Sequence, residues 1–364
     1  MFRTASARAL AVTAAAALLL SACGGGEEKT ATGAAAKPTK IVVAMGHEAP
    51  YPGEEAVLYA IPKGLGLFEK AGIEVEYQPT AGSGVAVQLV QAGKADLGQG
   101  NPSAVFAAID KGVPIKIVYN IIPKYGSGLA VKSDSPIAKP ADIKGKTIGV
   151  ASLSSSRLLD AKQMVKAAGL DPEKDVQYVA VGVGAQAATA LTSGNVDGLY
   201  LWDAAYKSME LSGTKLRVIK DVFPNSDQLL DYLEYANEDA IKEKKDAIEK
   251  LGRAGVIAQM WAKDNPEKAL DFFYDAFPAV KKADEKGRAA DLEILKFTIE
   301  QFGAAHAQGG TWGETTKAAT DMTANFLKDG GLIKTVKSYE DYVDASFVPA
   351  YNKVSAADVA SLKP

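Results

Sequence analysis

VEYQPTAGSGVAVQLVQAGKADLGQGNPSAVFAAIDKGVPIKIV, residues 75–118, has a second copy of its pattern in VQYVAVGVGAQAATALTSGNVDGLYLWDAAYKSMELSGTKLRVI, residues 176–219. The copies align without a gap at an offset of 101 positions (197 minus 96), so that Asp96 corresponds to Asp197. Each copy predicts a strand, a glycine turn, a helix, a short strand, a second helix and a last strand. Two copies of one α/β unit predict two similar lobes with a cleft between them.

The length and composition indicate a globular protein of about two domains. The chain has 364 residues, 47% of them hydrophobic, which is enough for a core in each domain. Its 41 basic and 44 acidic residues are well mixed along the sequence, and the formal charge is −3. Because the basic residues form no cluster in the sequence, we predict no nucleic-acid partner.

The first 22 residues have the pattern of an export signal. Arg3 and Arg8 give a positive start, and residues 9–20 form an apolar run that is too short for a permanent membrane span. The residues that follow, Leu-Ser-Ala-Cys at 20–23, resemble the lipobox of bacterial lipoproteins, which implies cleavage before Cys23 and lipidation of its thiol. The alternative is an incidental thiol near a signal peptide. Since the chain has one cysteine, we predict neither a disulfide nor a cysteine metal site.

The remaining chain alternates short apolar strands with helices. This alternation predicts βαβ units and a mostly parallel sheet with flanking helices in each lobe. We expect the chain to cross between the lobes in residues 121–131 and 229–236, with a hinge near residues 121–125 and 225–235. The predicted domains are a signal peptide at 1–22, a flexible tether at 23–40, lobe one at 41–124 and 230–330, lobe two at 125–229, and a surface tail at 331–364.

Candidate binding residues follow the predicted strands, at the carboxyl ends where open parallel sheets bind ligands. Each of these loops runs into a helix N-terminus, whose free N–H groups and dipole favour an anion. The candidates in lobe one are His47, Gly82, Ser83, Asn101 and Ser103, and those in lobe two are Ser154, Ser155, Ser156, Arg157, Gly184, Trp202 and Asp203.

Three of these candidates have a specific chemistry. Arg157 follows three serines, and its planar guanidinium group could bind a carboxylate or sulfonate through two hydrogen bonds. The alternative is a helix cap followed by a surface arginine. Trp202 could stack on a ligand and Asp203 could accept an amine. The alternative for this pair is core packing and helix capping.

Other site classes lack their sequence signals. His47 and His306 are far apart in sequence and show no nearby pattern of acidic ligands, so we predict no metal site. Gly182-x-Gly184-x-x-Ala187 fits the dinucleotide fingerprint, but no acidic ribose partner follows, so that we predict turn glycines and no cofactor. The sequence also contains no catalytic triad pattern, and we predict a protein that is not an enzyme.

Several motifs resemble one family, the solute-binding proteins of ABC importers for sulfonates, nitrate, taurine and thiamine-precursor pyrimidines, the NMT1/THI5-like group. These motifs are GLGLFEKAGIEVE at 64–76, LVQAGKADLG at 89–98, GVPIK at 112–116, DIKGKTIGV at 142–150 and NFLKDGGLI at 325–333. The resemblance implies a two-lobed periplasmic-binding-protein fold of type II with a helical C-terminal part. It also implies a monomer in the cell envelope, a solute in the interlobe cleft, and an ABC permease and ATPase as partners.

One loop departs from the family pattern. Residues 46–55, GHEAPYPGEE, carry three carboxylates near the expected cleft mouth, which favours a larger or zwitterionic organic solute over an inorganic anion. We therefore expect a small organic anion or zwitterion whose acidic group faces lobe two. The alternatives are a thiamine-precursor pyrimidine, nitrate, a receptor that reports to a sensor, or a precursor-synthesis enzyme of the same fold. Because such enzymes are cytoplasmic, the lipobox argues against the last of these.

The lipobox generates a direct test at Cys23. Replacing Cys23 by Ser removes the thiol that accepts the lipid, so we expect the protein to lose its lipid label and to leave the membrane fraction. Metabolic labelling with a fatty acid and fractionation of the expressing cells measure both effects. Full labelling and membrane association of the Cys23→Ser variant would contradict the assignment.

Overall fold

The computed structural model describes residues 37–223, 225–307 and 310–362. The predicted signal peptide, the lipidation site Cys23 and the tether as far as residue 36 lie outside these described residues. Lys40, placed at the end of the tether, already belongs to the first strand, Thr39–Ala44. Within the described ranges, no helix has both the length and the apolar character that a membrane span requires.

Two five-stranded sheets organise the described chain. Sheet A has the order β2-β1-β3-β10-β4 and sheet B has the order β7-β6-β8-β5-β9. In each sheet three strands pair in parallel, and the fourth position holds one strand antiparallel to both of its neighbours. The strands are β1 Thr39–Ala44, β2 Ile73–Gln78, β3 Leu97–Gly100, β4 Ile115–Ile122, β5 Ser127–Lys132, β6 Lys146–Val150, β7 Val176–Ala180, β8 Gly198–Trp202, β9 Leu216–Ile219 and β10 Tyr232–Asn237.

Helices pack on the faces of both sheets. The longer helices are α3 Ser83–Gln91, α4 Pro102–Asp110, α5 Ser156–Ala167, α6 Ala185–Ser193, α7 Asp203–Leu211, α8 Glu238–Asp264, α9 Pro266–Ala276, α10 Glu285–Ala307 and α11 Lys317–Asp329. The short ones are α1 Ile61–Gly64, α2 Leu67–Ala71, α12 Tyr339–Tyr342, α13 Val348–Tyr351 and α14 Ala356–Ala360, and a π-helical turn, Ala56–Ala60, precedes α1.

The two copies of the repeat form equivalent helices and strands in the two lobes. Helices α4 and α7 begin at Pro102 and Asp203, and strands β4 and β9 begin at Ile115 and Leu216, each at the offset of 101. The carboxylates of the equivalent Asp96 and Asp197 accept hydrogen bonds of 2.9 Å from the backbone N–H groups of Val42 and Thr147 respectively. Each aspartate therefore connects the turn before one parallel strand, β3 or β8, to the neighbouring parallel strand, β1 or β6.

The antiparallel strand in each sheet is the first strand after a crossing between the sheets. The chain leaves sheet A after β4 and enters sheet B with β5, and it returns after β9 to enter sheet A with β10. We use lobe one for sheet A with its helices and lobe two for sheet B with its helices. The first connection, between Ile122 and Ser127, lies in the segment expected to cross. The second, between Ile219 and Tyr232, overlaps its expected segment only at residues 229–231, because the rest of that segment belongs to β10. The role of both connections as hinges stays a prediction.

The C-terminal segment, expected on the surface, contributes to the core of lobe one. Tyr342, Phe347 and Tyr351 are at most 1% exposed and belong to the hydrophobic clusters around sheet A. Gly252 of α8 lies against the Tyr351 ring, so that any side chain at this position would collide with the ring. The C-terminal segment thus packs on α8 at the position where Gly252 has no side chain.

A buried carboxyl group lies in the core of sheet A. Glu234 of β10 is 5% exposed, and its Oε2 accepts a hydrogen bond of 3.0 Å from Gln99 Nε2. The Gln99 Nε2 also donates to Tyr77 Oη at 3.2 Å. Because burial penalises the charged form, and the Gln99 bond offsets only part of this penalty, the pKa of Glu234 rises to about 7.

The raised pKa of Glu234 predicts a stability that falls with pH. The folded state holds the Glu234 proton more tightly than the unfolded state, so the favourable contribution is complete below pH 4.5 and disappears as pH rises to about 7. Glu234→Gln keeps a neutral group beside Gln99 at all pH values. At pH 8 we expect the free energy of unfolding of the variant to exceed that of wild type by up to about 3 kcal/mol. At pH 5 the difference should be smaller.

Urea unfolding at pH 5 and pH 8 measures this difference. Glu74→Gln, the same change on the exposed side of β2, is the matched control and should follow wild type at both pH values. An identical pH dependence for wild type and Glu234→Gln would show that Glu234 does not carry the effect.

Candidate functional site

A cavity of about 490 Å³ lies between the two sheets, at the carboxyl ends of their parallel strands. All six loops that follow these strands contribute to its lining. They do so through residues 46–52, 81–82, 101, 151–152, 155–157, 182–184 and 202–205. Of the candidates from the sequence, His47, Gly82, Asn101, Ser155, Ser156, Arg157, Gly184, Trp202 and Asp203 line this cavity. Their contact with a ligand stays a prediction.

Three predicted binding residues contact one another across the cleft. Ser156 of lobe two donates to Asn101 Oδ1 of lobe one at 2.6 Å, and its Oγ lies 3.4 Å from Ser83 Oγ. The Asn101 amide donates to the backbone carbonyl of Asp231 at 3.0 Å. All three side chains are buried. The N-termini of α3, α4 and α5 therefore meet at one polar cluster that joins the lobes.

Arg157 is held by two carboxylates of the protein itself. Its Nη2 donates to Asp231 Oδ1 at 2.6 Å and its Nη1 donates to Asp160 Oδ2 at 3.1 Å, with 5% of the residue exposed. Burial raises the pKa of Asp160 to about 6, although the nearby guanidinium opposes this rise. The alternative of a surface arginine is wrong. The Arg157 guanidinium is also not free to bind an anion through both terminal nitrogens, because each of them already donates to a carboxylate of the protein.

The remaining lobe-two candidates have distinct surroundings. The Trp202 ring lies 6.4 Å from the Tyr51 ring of lobe one, tilted by 51°. Asp203 forms an ion pair with Lys220, and burial raises the Asp203 pKa despite that partner. Neither Trp202 nor Asp203 caps α7 through its side chain. Ser155 does cap α5, since its Oγ accepts from the Arg157 N–H at 3.2 Å.

Three candidates, Ser83, Ser103 and Ser154, do not line the cavity, and one glycine has a backbone role. Ser103 is buried on α4, and Ser154 is exposed with its Oγ 3.4 Å from the carbonyl of Ala81. Gly184, the residue before α6, has φ of 59°, a conformation that favours glycine whether or not a ligand binds.

His47 lies between two glutamates. Its Nε2 is 2.9 Å from Glu54 Oε1 and 2.8 Å from Glu55 Oε1. Tyr51 Oη donates to Glu54 Oε2 at 2.6 Å. The prediction that no acidic ligand pattern accompanies His47 is therefore wrong. The sequence did contain the signal, because both glutamates stand within eight residues of the histidine in the loop noted for its carboxylates.

The three groups shift one another's pKa. Burial acts against a charged His47, but the carboxylates of Glu55 and Glu54 outweigh it and hold the histidine pKa well above its usual range. Burial raises the pKa of Glu55 to about 7, with His47 opposing and Glu54 adding to the rise. Burial also acts to raise the pKa of Glu54, yet hydrogen bonds from His47 and Tyr51 leave it lowered. The cluster therefore favours one positive charge at His47 Nε2.

Several cavity residues carried no sequence signal. Tyr51, Asp231 and Tyr232 line the cavity from lobe one. The helix α10, in the segment that the sequence assigned to lobe one, also packs against α7 of lobe two. It adds Asp291, Ile294, Thr298, Gln301 and Phe302 to the lining. Helical periodicity indicates that such a helix has a buried face, but not which cavity that face borders.

Comparison with known families identifies the chain. The family model described as NMT1/THI5 like matches residues 56–269, more than half of the sequence. The chain belongs to the NMT1/THI5-like family. The match contains both copies of the repeat and five of the six loops, whereas the cavity-lining residues of the loop after β1 lie before residue 56.

Several relatives are named as binding proteins. The formylaminopyrimidine-binding protein of Halalkalibacterium halodurans is 24% identical over 260 residues, which cover 68% of this chain and 76% of that protein. The taurine-binding periplasmic protein of Escherichia coli is 26% identical over 288 residues, covering 77% and 85% respectively. Two relatives with such different names leave the solute of this NMT1/THI5-like chain undetermined by similarity.

The fold agrees with solved structures. The periplasmic aliphatic sulphonate-binding protein of Escherichia coli matches 84% of this chain and 92% of its own length with a TM-score of 0.59 at 16% identity. The predicted two-lobed periplasmic-binding-protein fold is confirmed. Each sheet of this NMT1/THI5-like protein is mixed, with one reversed strand among five.

The ion pair of Arg157 predicts a large loss of stability when the arginine is removed. Arg157→Met leaves Asp160 and Asp231 buried without their counter-charge, which costs about 3–5 kcal/mol in the free energy of unfolding. Arg157→Met combined with Asp231→Asn should recover much of this loss. A double-mutant cycle by urea unfolding measures the coupling.

The pairing would be contradicted by additive effects of the two substitutions. A loss below about 1 kcal/mol in Arg157→Met, typical of an exposed ion pair, would also contradict it. Lys281→Ala, on the exposed segment before α10, is the control for removing a positive charge and should leave stability unchanged.

Proposed function

We propose that this protein is the solute-binding component of an ABC importer. It works as a monomer outside the cytoplasm, is anchored through a lipid on Cys23, and passes a small organic solute to a permease and ATPase complex. The observation that carries the proposal is the convergence of six strand-end loops on one cavity of about 490 Å³. Cavities of this size are typical of small-molecule sites. Membership of the NMT1/THI5-like family and the names of the relatives support the same class.

The charges of the cavity narrow the chemistry of the solute. Arg157 is balanced by Asp160 and Asp231, so it supplies little free positive charge to an anion. Glu48 and Asp291 add carboxylates to the lining. A simple inorganic anion such as nitrate would meet these carboxylates, which disfavours it. A solute with a hydrogen-bond-donating nitrogen complements them.

The two walls differ in what they offer. On the lobe-two side, α5 and α6 begin at the cavity, at Ser156 and Ala185, and their backbone N–H groups suit an acidic or acceptor group. On the lobe-one side, Glu48 suits a donor nitrogen, and Tyr51 with Trp202 provides aromatic surface for a flat ring. We infer a nitrogen-containing ring compound of the aminopyrimidine class as the first candidate. A taurine-like zwitterion is the second, because it also has a donor nitrogen and an acidic group.

Calorimetry with a defined panel tests this proposal. The panel comprises an aminopyrimidine, a formylaminopyrimidine, taurine, an alkanesulfonate without an amine, and nitrate. We expect the strongest binding from a compound with a donor nitrogen, and Trp202→Ala should weaken that binding about tenfold or more through the lost ring contact. Trp312→Ala removes a tryptophan outside the cavity and should leave the affinity unchanged.

Native mass spectrometry of protein purified without refolding provides an independent reading. A retained small molecule should be recovered chemically unchanged after incubation, because transport does not alter the solute. An enzyme of the same fold would instead convert it to a product. Tight binding of the amine-free sulfonate or of nitrate, with no binding of any nitrogen donor, would overturn the solute class. Conversion of the solute to a product would overturn the function.

A further inference from the structure

The orientation of His47 is fixed by a backbone acceptor. Its Nδ1 lies 3.1 Å from the carbonyl oxygen of Ala49, which can only accept, so Nδ1 carries a proton and donates it. The other ring nitrogen, Nε2, faces the two carboxylate oxygens of Glu54 and Glu55 at 2.9 and 2.8 Å. When both carboxylates are ionised, a positive charge between them stabilises this arrangement, either as a proton on Nε2 or as a metal ion.

A proton satisfies only one of the two glutamates. The single Nε2–H can point at one oxygen, and the hydrogen bond of good geometry goes to Glu54. Glu55 is 0% exposed, and neither of its oxygens accepts a hydrogen bond of good geometry from the residues that the structure describes. A fully buried carboxylate that is aimed at His47 without such a bond is costly unless a cation fills the position.

We propose that His47, Glu54 and Glu55 bind one divalent transition-metal ion at the lobe-one wall of the cavity. Their three donor atoms lie within 4.8 Å of one another. Two donor atoms that bind one ion at about 2.0–2.2 Å are at most about 4.4 Å apart. Because His47 Nε2 lies 2.9 and 2.8 Å from the two carboxylate oxygens, small side-chain movements bring all three donors onto one ion. One imidazole and two carboxylates suit Zn²⁺, Mn²⁺ or Fe²⁺, which accept both nitrogen and oxygen ligands.

The surroundings of the ligands fit this role. Metal-bound histidines commonly donate their other N–H to a backbone carbonyl, as His47 does to Ala49. Metal-bound carboxylates are commonly held by a further hydrogen bond, as Tyr51 holds Glu54. The π-helical turn Ala56–Ala60 follows Glu55 directly, and such turns occur frequently at functional sites.

Three protein ligands leave a coordination position open. His47 and Glu54 both line the cavity, so the open position faces the space between the lobes. The site is built from one loop and one helix start of lobe one. It therefore does not depend on which solute the cavity binds, or on whether the protein serves a transporter.

The test uses the purified full chain after removal of metal with a chelator, titrated with Zn²⁺ by calorimetry and with Co²⁺ by visible absorption. We expect one ion per chain, a Co²⁺ spectrum of low coordination number, and retention of the ion after gel filtration. Glu55→Gln and His47→Gln should each lose more affinity than the roughly 10–100-fold typical of losing an outer-shell partner. Thermal unfolding followed by circular dichroism verifies that both variants are folded.

The matched controls change the same residue types elsewhere. Glu74→Gln lies on the exposed side of β2 and His306→Gln replaces the other histidine, which is exposed and outside the cavity. Both should bind Zn²⁺ as wild type does. Absence of stoichiometric binding to wild type, with the His47 ring seen by NMR as an imidazolium, would overturn the proposal in favour of a buried ion pair. Equal affinities of Glu55→Gln and Glu74→Gln would also overturn it.

Discussion

The buried ion pair between Arg157 and Asp231 connects the two lobes at the point where the chain returns to lobe one. Arg157 lies in the first turn of α5 in lobe two, and Asp231 directly precedes β10 of sheet A. The second oxygen of Asp231 accepts from the N–H of Gly126 at 3.1 Å, just before β5. A single carboxylate thus connects both crossings to α5. Because a buried charge is costly without partners, this geometry restricts where the crossings and α5 can lie.

The same ion pair decides which groups are free to meet a solute. Because the Arg157 guanidinium pairs with Asp160 and Asp231, the positive charge that we predicted for anion binding is largely neutralised within the protein. Under the proposed function, recognition of the solute would then depend on weaker, directional groups: the backbone N–H groups at the starts of α5 and α6, the aromatic rings, and the carboxylates of lobe one. Such a cavity discriminates by shape and hydrogen-bond pattern more than by net charge.

The sequence predicted the scaffold well because its signals are local. Apolar runs, glycine turns and the offset of 101 placed the strands, the helices and the six cavity loops. The partners of Arg157 could not be predicted, since Asp231 is 74 positions away and no local pattern marks it. Burial of Tyr351 depends on the space above Gly252, a property of packing between distant segments. The cluster at His47 was local and still missed, because its glutamates were treated as charges at the cleft mouth and not as partners of the histidine.

The repeat is symmetric in backbone and asymmetric in chemistry. Asn101 and Trp202 occupy equivalent positions, the residue before α4 and the residue before α7. The Asn101 amide is buried and joins the lobes through Ser156 and the Asp231 carbonyl, whereas the Trp202 ring faces Tyr51 across the cavity. One position therefore holds the lobes together and its equivalent borders the solute space. The repeated unit provides two matching sets of loops, and different side chains at matching positions give the two sets different chemistry.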